Sequence, residues 1–158
     1  MKRWLGAGLL LLGMVLGGCS RTIDPLTEIS EVKVVIDRLR VAQEKEDLTA
    51  LSAIFAQDDD LVVFGIGESE RYVGWAAVNG MYQNQMNAID GFTVTISDQS
   101  IKISAGGDAA RVTSLDRLQG QTDENQFQLT VKKTVVLEKR NGKWLIVHIH
   151  MSKYEAGA

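Results

Sequence analysis

The C-terminal half of the chain alternates between apolar and polar residues with a period of two, beginning at Phe92. Because successive side chains of a strand point to opposite faces of a sheet, this alternation predicts β-strands. Turn signals divide the pattern at Gly106-Gly107-Asp108 and at Asn141-Gly142, and Asn-Gly is the dipeptide most typical of tight hairpins. Strands of this length must twist, which indicates a coiled antiparallel meander. The predicted strands are 92–104, 109–120, 126–140 and 143–152.

Three helices are predicted before these strands. Asp24-Pro25 is a typical helix start, and apolar residues then recur at helical spacing to about Glu46. Asp47 can cap a short second helix, and Gly74-Trp75 begins a third that ends near Ile89. Because the apolar face of a sheet must be covered, helices packed on one face predict an α+β roll.

The first 18 residues have the features of an export signal. Lys2 and Arg3 precede an uncharged, leucine-rich stretch that is too short to span a bilayer comfortably. The stretch ends in Leu16-Gly17-Gly18-Cys19, which resembles the bacterial lipobox, so the resemblance implies cleavage before Cys19 and its acylation. The alternative is an ordinary signal peptide with an incidental cysteine. The predicted organisation is a signal peptide (1–18), a lipidated tether (19–25) and one domain (26–158).

The expected partners follow from the anchor and the charge. Several acyl chains on Cys19 hold a protein firmly on a membrane, and no second cysteine exists for a disulfide. In enteric-type lipoproteins an aspartate directly after the cysteine favours the inner membrane, so the resemblance implies the outer membrane for a chain with Ser20, with the domain facing the periplasm. Loss of Lys2 and Arg3 with the signal peptide moves the formal charge from −3 to −5. An acidic domain of this kind argues against binding to nucleic acid.

Two motifs resemble the SnoaL-like group of the nuclear transport factor 2-like (NTF2-like) superfamily. One is Tyr72-Val73-Gly74-Trp75 at the start of the third helix, and the other is the last strand, 142–152. The resemblance covers about residues 30–154 and extends to the association domain of calcium/calmodulin-dependent kinase II. It implies an NTF2-like cone with a pocket between the helices and the concave face of the sheet. Because the superfamily contains enzymes, assembly domains and transport factors, the fold does not choose among these functions.

Strand alternation predicts which side chains reach this pocket. In the last strand, the inward face is expected to carry Leu145, Val147, Ile149 and Met151. Lys133 is expected to face inward on the neighbouring strand. On the strand before that, alternation leaves a set with Arg117 and a set with Asp116, and the resemblance to the kinase domain favours Arg117. The expected pocket residues are Phe64, Trp75, Val78, Tyr82, Met86, Arg117, Lys133, Val135 and Met151.

His148 and His150 lie two residues apart on the last strand, on the predicted outer face with Trp144 and Ile146. That face is expected to form a homodimer interface. As alternatives, the two histidines could supply two of the ligands that zinc requires, or one could act as a general base if the strand phase were reversed. We predict no metal and no cofactor.

The largely apolar pocket favours binding over catalysis. We expect a membrane-anchored envelope lipoprotein that binds a small apolar or amphipathic ligand, or a protein partner. The alternative is an isomerase, dehydratase or cyclase of the ketosteroid isomerase kind, with Tyr82 as oxyanion donor. No complete catalytic set is visible, because Asp116 is expected to face outward. A third hypothesis is an interaction protein whose sheet face assembles oligomers.

Overall fold

The computed structural model describes residues 24–155 and begins with two helices, α1 (Pro25–Glu44) and α2 (Leu48–Ser52). Asp24 caps α1 by accepting a hydrogen bond of 3.1 Å from the backbone N–H of Leu26. Asp47 caps α2 by accepting a bond of 2.9 Å from the backbone N–H of Ala50. Both predicted caps are therefore confirmed. The predicted signal peptide and Cys19 lie outside the described residues.

The remaining elements confirm the predicted order of helices followed by long strands. No helix among residues 24–155 is long and apolar enough to cross a membrane. The elements after α2 are β1 (Val62–Phe64), β2 (Arg71–Val73), α3 (Gly74–Ala88), β3 (Asp90–Ile103), β4 (Ala109–Gln121), β5 (Gln126–Arg140) and β6 (Lys143–Lys153).

The strands form one curved sheet in the order β2-β1-β6-β5-β4-β3. The four long strands make the predicted meander, and β1 extends it by pairing parallel to β6. Helix α1 packs across β3 and β6, with Val32, Ile36 and Leu39 buried against the sheet. The architecture is the predicted α+β roll, with helices on the concave face of a mainly antiparallel sheet.

The turn between β5 and β6 has the backbone that its sequence predicts. Asn141 and Gly142 both have positive φ, at 51° and 79°. Two consecutive residues of this kind are characteristic of the tight hairpin turn that matches strand twist, and Asn-Gly is the pair that adopts it at least cost. The turn sets the register with which β6 returns along β5.

A β-bulge interrupts the regular alternation of β6. Val136 pairs with His148, whereas the next residue of β5, Leu137, pairs with Ile146. Val147 lies between these two partners on β6 and has no partner of its own on β5, so it is the extra residue of the bulge. One additional residue reverses the alternation. Even-numbered side chains of β6 therefore face the core before the bulge, and odd-numbered ones face it after the bulge.

The bulge corrects the predicted orientation of the first half of β6. Trp144 and Ile146, which were expected on the outer face, are buried together with Ile149. Leu145 and Val147, which were expected in the core, are only partly buried. The prediction is wrong here because a strict period of two cannot reveal a bulge.

Candidate ligand-binding cavity

A cavity of about 500 Å³ lies between the C-terminal half of α1, α3 and the concave face of the sheet. It is at the end of the roll where β4 turns into β5. Its wall is largely apolar and includes Leu39, Ile89, Phe92, Leu118 and Phe127. A space of this size and composition is typical of sites for small organic molecules.

Two side chains of opposite charge stand in this apolar wall. Asp116 of β4 and the ammonium group of Lys133 on β5 form an ion pair, and their side chains are only 1% and 7% exposed. Asp116 also accepts, through Oδ1, a hydrogen bond of 2.6 Å from the hydroxyl of Ser114. Oδ2 faces the ammonium group of Lys133 as an ion pair and has no hydrogen-bond partner among residues 24–155.

Tyr82 of α3 is the largest buried polar side chain on the cavity wall, with 2% of its surface exposed. Its ring packs against Phe55, with ring centroids 5.7 Å apart. Burial raises the pKa of its hydroxyl well above the ordinary value of 10.0, because the phenolate would lose its hydration. The hydroxyl therefore stays protonated and available as a donor at neutral pH.

The loop between β1 and β2 forms part of the rim. The carboxylate of Glu70 accepts hydrogen bonds from the backbone N–H groups of Ile66 and Gly67, at 2.7 and 2.9 Å. Gly65, Ile66 and Glu70 all contribute to the cavity wall. These bonds hold the loop against the opening and engage one oxygen of an exposed carboxylate at the mouth.

Of the predicted pocket residues, Tyr82, Lys133 and Met151 lie on the cavity wall. Val78 and Val135 are completely buried in the core beside it, so they support the wall without forming it. Trp75 and Met86 pack against the same core, and the ring of Trp75 lies 5.6 Å from that of Phe55. For these four residues, the expected contact with the cavity is not observed.

Arg117 and Phe64 were expected in the pocket and instead lie outside it. Arg117 is exposed because β4 presents the alternate set inward, with Asp116 fully buried. The physical reason is a partner: inside the roll Asp116 meets Lys133, whereas an inward arginine would add a second cation. Phe64 is 36% exposed and lies on the outer face of the sheet.

His148 and His150 lie with Phe64 on this outer face. Their ring centroids are 5.8 and 5.7 Å from that of Phe64, in edge-on arrangements. Neither histidine lies on the described cavity wall. Within residues 24–155, no three histidine, cysteine, aspartate or glutamate side chains cluster in a way that could hold a metal ion.

Asp116 is the site residue that the sequence analysis assigned to the wrong face. A signal for it was present, because Lys133 was expected inward and a buried lysine needs a carboxylate partner. The short turn between β4 and β5 pairs Asp116 with Val131, which places its side chain diagonally beside Lys133. Matching the two charges across the hairpin would have chosen the correct strand phase.

Helices that enclose a cavity against a curved, mainly antiparallel sheet define an NTF2-like protein. The family profile of the SnoaL-like domain matches residues 32–155, and the chain belongs to this family. Among curated proteins, none matches the chain significantly.

Solved structures share this fold at low sequence identity. An NTF2-like superfamily protein from Salmonella enterica aligns with a TM-score of 0.75 and 21% identity, over 84% of this chain and 95% of the other. A candidate dehydratase of the NTF2-like family from Streptomyces avermitilis gives 0.76 and 19%, over 84% and 100%. A candidate calcium/calmodulin-dependent protein kinase II association domain from Xanthomonas campestris gives 0.69 and 18%, over 80% and 88%.

Proposed function

We propose that the protein is a lipid-anchored envelope protein whose cavity binds a small amphipathic molecule without transforming it. The observation that carries this proposal is a space of about 500 Å³ with apolar walls and one buried polar group of Asp116, Lys133 and Ser114. Apolar walls supply affinity, and a few placed polar groups orient the ligand.

The contacts of Asp116 favour binding over catalysis. A general base takes up a proton from the substrate, and a proton on Asp116 would leave the buried ammonium of Lys133 without its counter-charge. Here Ser114 donates to one oxygen at 2.6 Å, and Lys133 pairs with the other. Among the described residues no histidine lies on the cavity wall to replace it. The site therefore has donors and shape for a ligand, and proton uptake at Asp116 would break its buried ion pair.

The proposed anchor is Cys19, a few residues before α1. The first turn of α1 is tied to the β5–β6 end of the sheet, because Lys139 donates to Glu28 at 2.6 Å. Cavity residues such as Leu118 and Phe127 lie at the opposite end, beside the β4–β5 turn. A short tether would therefore hold the β5–β6 end near the membrane and direct the cavity away from it.

Native mass spectrometry of protein purified from its expression host tests the binding function. We expect a bound small molecule in the wild type, and its loss in Leu118→Trp, which fills the cavity. Gln119→Trp is the matched control, because Gln119 is the exposed neighbour on the same strand. Equal ligand content in both variants would contradict binding in this cavity.

Fractionation of cells tests the anchor separately. We expect the full chain to occur in the membrane fraction and to incorporate radiolabelled palmitate. We expect Cys19→Ala to be absent from the membrane fraction and to incorporate no label. Retention of the Ala variant on the membrane would contradict lipid anchoring through Cys19 and would leave the cavity proposal untouched.

A homodimer through the outer sheet face completes the proposal, supported by the exposed ring of Phe64 beside His148 and His150. We expect a dimer in sedimentation velocity and a monomer for Phe64→Glu. Leu26→Glu is the control, since Leu26 is also exposed but lies on α1. A wild-type monomer, or equal effects of both variants, would contradict this interface.

The second candidate is an enzyme that moves a proton, favoured by one observation: Asp116 and Tyr82 lie on the wall of the same cavity. Such an enzyme would exchange the α-protons of a bound ketone with solvent. Proton NMR in heavy water measures this exchange. Exchange that depends on Asp116 would replace the binding proposal with the catalytic one.

A further inference from the structure

The cavity wall carries hydrogen-bond donors that have no acceptor among residues 24–155. An ammonium group has three N–H donors, and the only polar partner of Lys133 in this range is Asp116. The hydroxyl of Tyr82 has no hydrogen-bond partner in the same range, although the residue is 98% buried. Buried donors are normally paired, so a cavity with open donors indicates that a ligand or water completes them.

The buried carboxylate of the same wall, Asp116, is held by the ammonium group of Lys133 and by Ser114. Oδ1 of Asp116 accepts from the hydroxyl of Ser114, and Oδ2 contacts Lys133 as an ion pair without a hydrogen-bond partner among residues 24–155. At the rim, one oxygen of Glu70 accepts two backbone N–H groups of its own loop. In the deep part of the cavity the carboxylate is therefore committed to an ion pair, whereas donors of Lys133 and Tyr82 remain open.

The charge of the deep part is balanced. Asp116 and Lys133 carry opposite charges and are both almost completely buried. A ligand carboxylate would have to share Lys133 with Asp116, which would place two anions beside one cation in an apolar space. A ligand ammonium would meet Lys133 as a like charge. Both arrangements leave a buried charge without compensation, at a large desolvation cost.

We propose that the cavity binds an uncharged molecule that presents a carbonyl oxygen, as in a ketone, ester or lactone, to the open donors of Lys133 and Tyr82. This inference deepens the proposed binding function and rests on it.

Three probes with one ring system test this class: a dimethylaminonaphthalene that carries a propionyl group, a propyl group or a carboxylate. Isothermal titration calorimetry measures their affinities for the mature domain. We expect the ketone to bind about tenfold more tightly than the propyl compound, as one charge-assisted hydrogen bond provides. We expect the carboxylate to bind at least about tenfold more weakly than the ketone.

Substitutions of the donors give the second arm. Tyr82→Phe removes one hydroxyl at nearly constant volume, and Tyr154→Phe does the same at an exposed site away from the cavity. The double variant Asp116→Asn with Lys133→Met removes the ion pair without leaving a buried charge. We expect Tyr82→Phe, the double variant or both to reduce the preference for the ketone, while Tyr154→Phe preserves it and binding of the propyl compound is unchanged.

The outcomes separate the two proposals. Tighter binding of the carboxylate than of the ketone would overturn the inferred ligand class and retain a binding cavity. Equal binding of the ketone and propyl compounds would do the same, as would a ketone preference that survives both sets of substitutions. Binding of none of the three probes would overturn the proposed function and this inference with it.

Discussion

Two lysines on the same face of β5, at the two ends of the roll, differ in the number of partners that their ammonium groups have. Lys139 donates to both oxygens of Glu28 at 2.8 and 2.6 Å and to Glu31 at 2.9 Å, and its ammonium lies 5.5 Å from the ring centroid of Trp144. Lys133 has only Asp116 among residues 24–155. Saturated donors bind one helix to the sheet, whereas open donors leave room for another molecule.

The surroundings explain the difference. The Lys139 cluster also receives the indole N–H of Trp144, which donates to Glu28 at 2.9 Å. Hydrogen bonds from Glu28 first, and from Glu31 second, raise the pKa of Lys139 above its ordinary value. At the other end, α1 and α3 stand apart from the sheet, and the cavity takes the place of packed side chains. The same residue type thus joins a helix to the sheet at one end and, in the proposed function, contacts the ligand at the other.

The largest effect is expected from breaking the buried pair. Lys133→Met should lower the free energy of unfolding by about 3 to 5 kcal/mol, because it leaves the charge of Asp116 buried without its cation. Urea denaturation measures the loss. The double variant Asp116→Asn with Lys133→Met should lie within about 1 kcal/mol of the wild type, because no buried charge remains. Equal losses in both variants would contradict the role of the pair.

Breaking the Lys139 cluster should cost less, about 1 to 2 kcal/mol for Lys139→Met. Of the two carboxylates that remain, Glu31 has a side chain that is 48% exposed and can be hydrated, and Glu28, which is 15% exposed, still accepts a hydrogen bond from Trp144. The affinity for the ketone probe should be unchanged, because the Lys139 cluster lies at the end of the sheet opposite the cavity. A loss of affinity equal to that of the Asp116/Lys133 double variant would show that the two ends are coupled.

Alkaline pH should lower the stability of the protein through Tyr82, at the cavity end of the sheet. Its folded pKa is raised, so above the ordinary value of 10.0 the unfolded chain loses a proton that the folded chain retains. Stability is therefore fully present below about pH 10 and should fall above it, by up to about 1.4 kcal/mol per pH unit. Tyr82→Phe should flatten this slope. The raised pKa of Lys139 also lowers stability above about pH 10.5, and the slope measured for Lys139→Met shows how much of the loss is due to this lysine.

The smallest effects concern glycines that touch neither cluster. Gly142→Ala should cost about 1 kcal/mol, because its φ of 79° disfavours a side chain. Gly80→Ala should instead stabilise the protein by up to about 1 kcal/mol, since Gly80 lies within α3 and a Cβ there meets no atom within 4 Å. Thermal denaturation distinguishes the two signs. Opposite signs from those expected would contradict the backbone assignments.

Local signals account for the parts of the fold that could be predicted. The capping side chains of Asp24 and Asp47 start α1 and α2, and Asn141-Gly142 makes the final turn. Each of these depends on neighbours within a few residues, so the sequence carries the information directly. The apolar character of the cavity and the inward position of Lys133 followed from the alternation of apolar and polar residues along the strands.

The errors have one physical origin, which is the parity of a strand. A period of two describes both faces equally well, so β4 could present Arg117 or Asp116, and only the buried ammonium of Lys133 selects Asp116. The bulge at Val147 reverses parity without any local signature. The placement of Phe64 failed similarly, because its face depends on parallel pairing with β6, a strand distant in sequence.

The sequence by itself determined the order of helices and strands, the caps, the tight turn and the α+β class, because short-range physical chemistry decides these features. It also carries the segment before Cys19, which predicts the membrane anchor. Tertiary structure alone decided which parity faces inward, which carboxylate meets Lys133, and where α1 and α3 leave an open cavity. These outcomes depend on contacts between residues far apart in the chain, and the free energy of burying a charge selects among arrangements that the local pattern treats as equal.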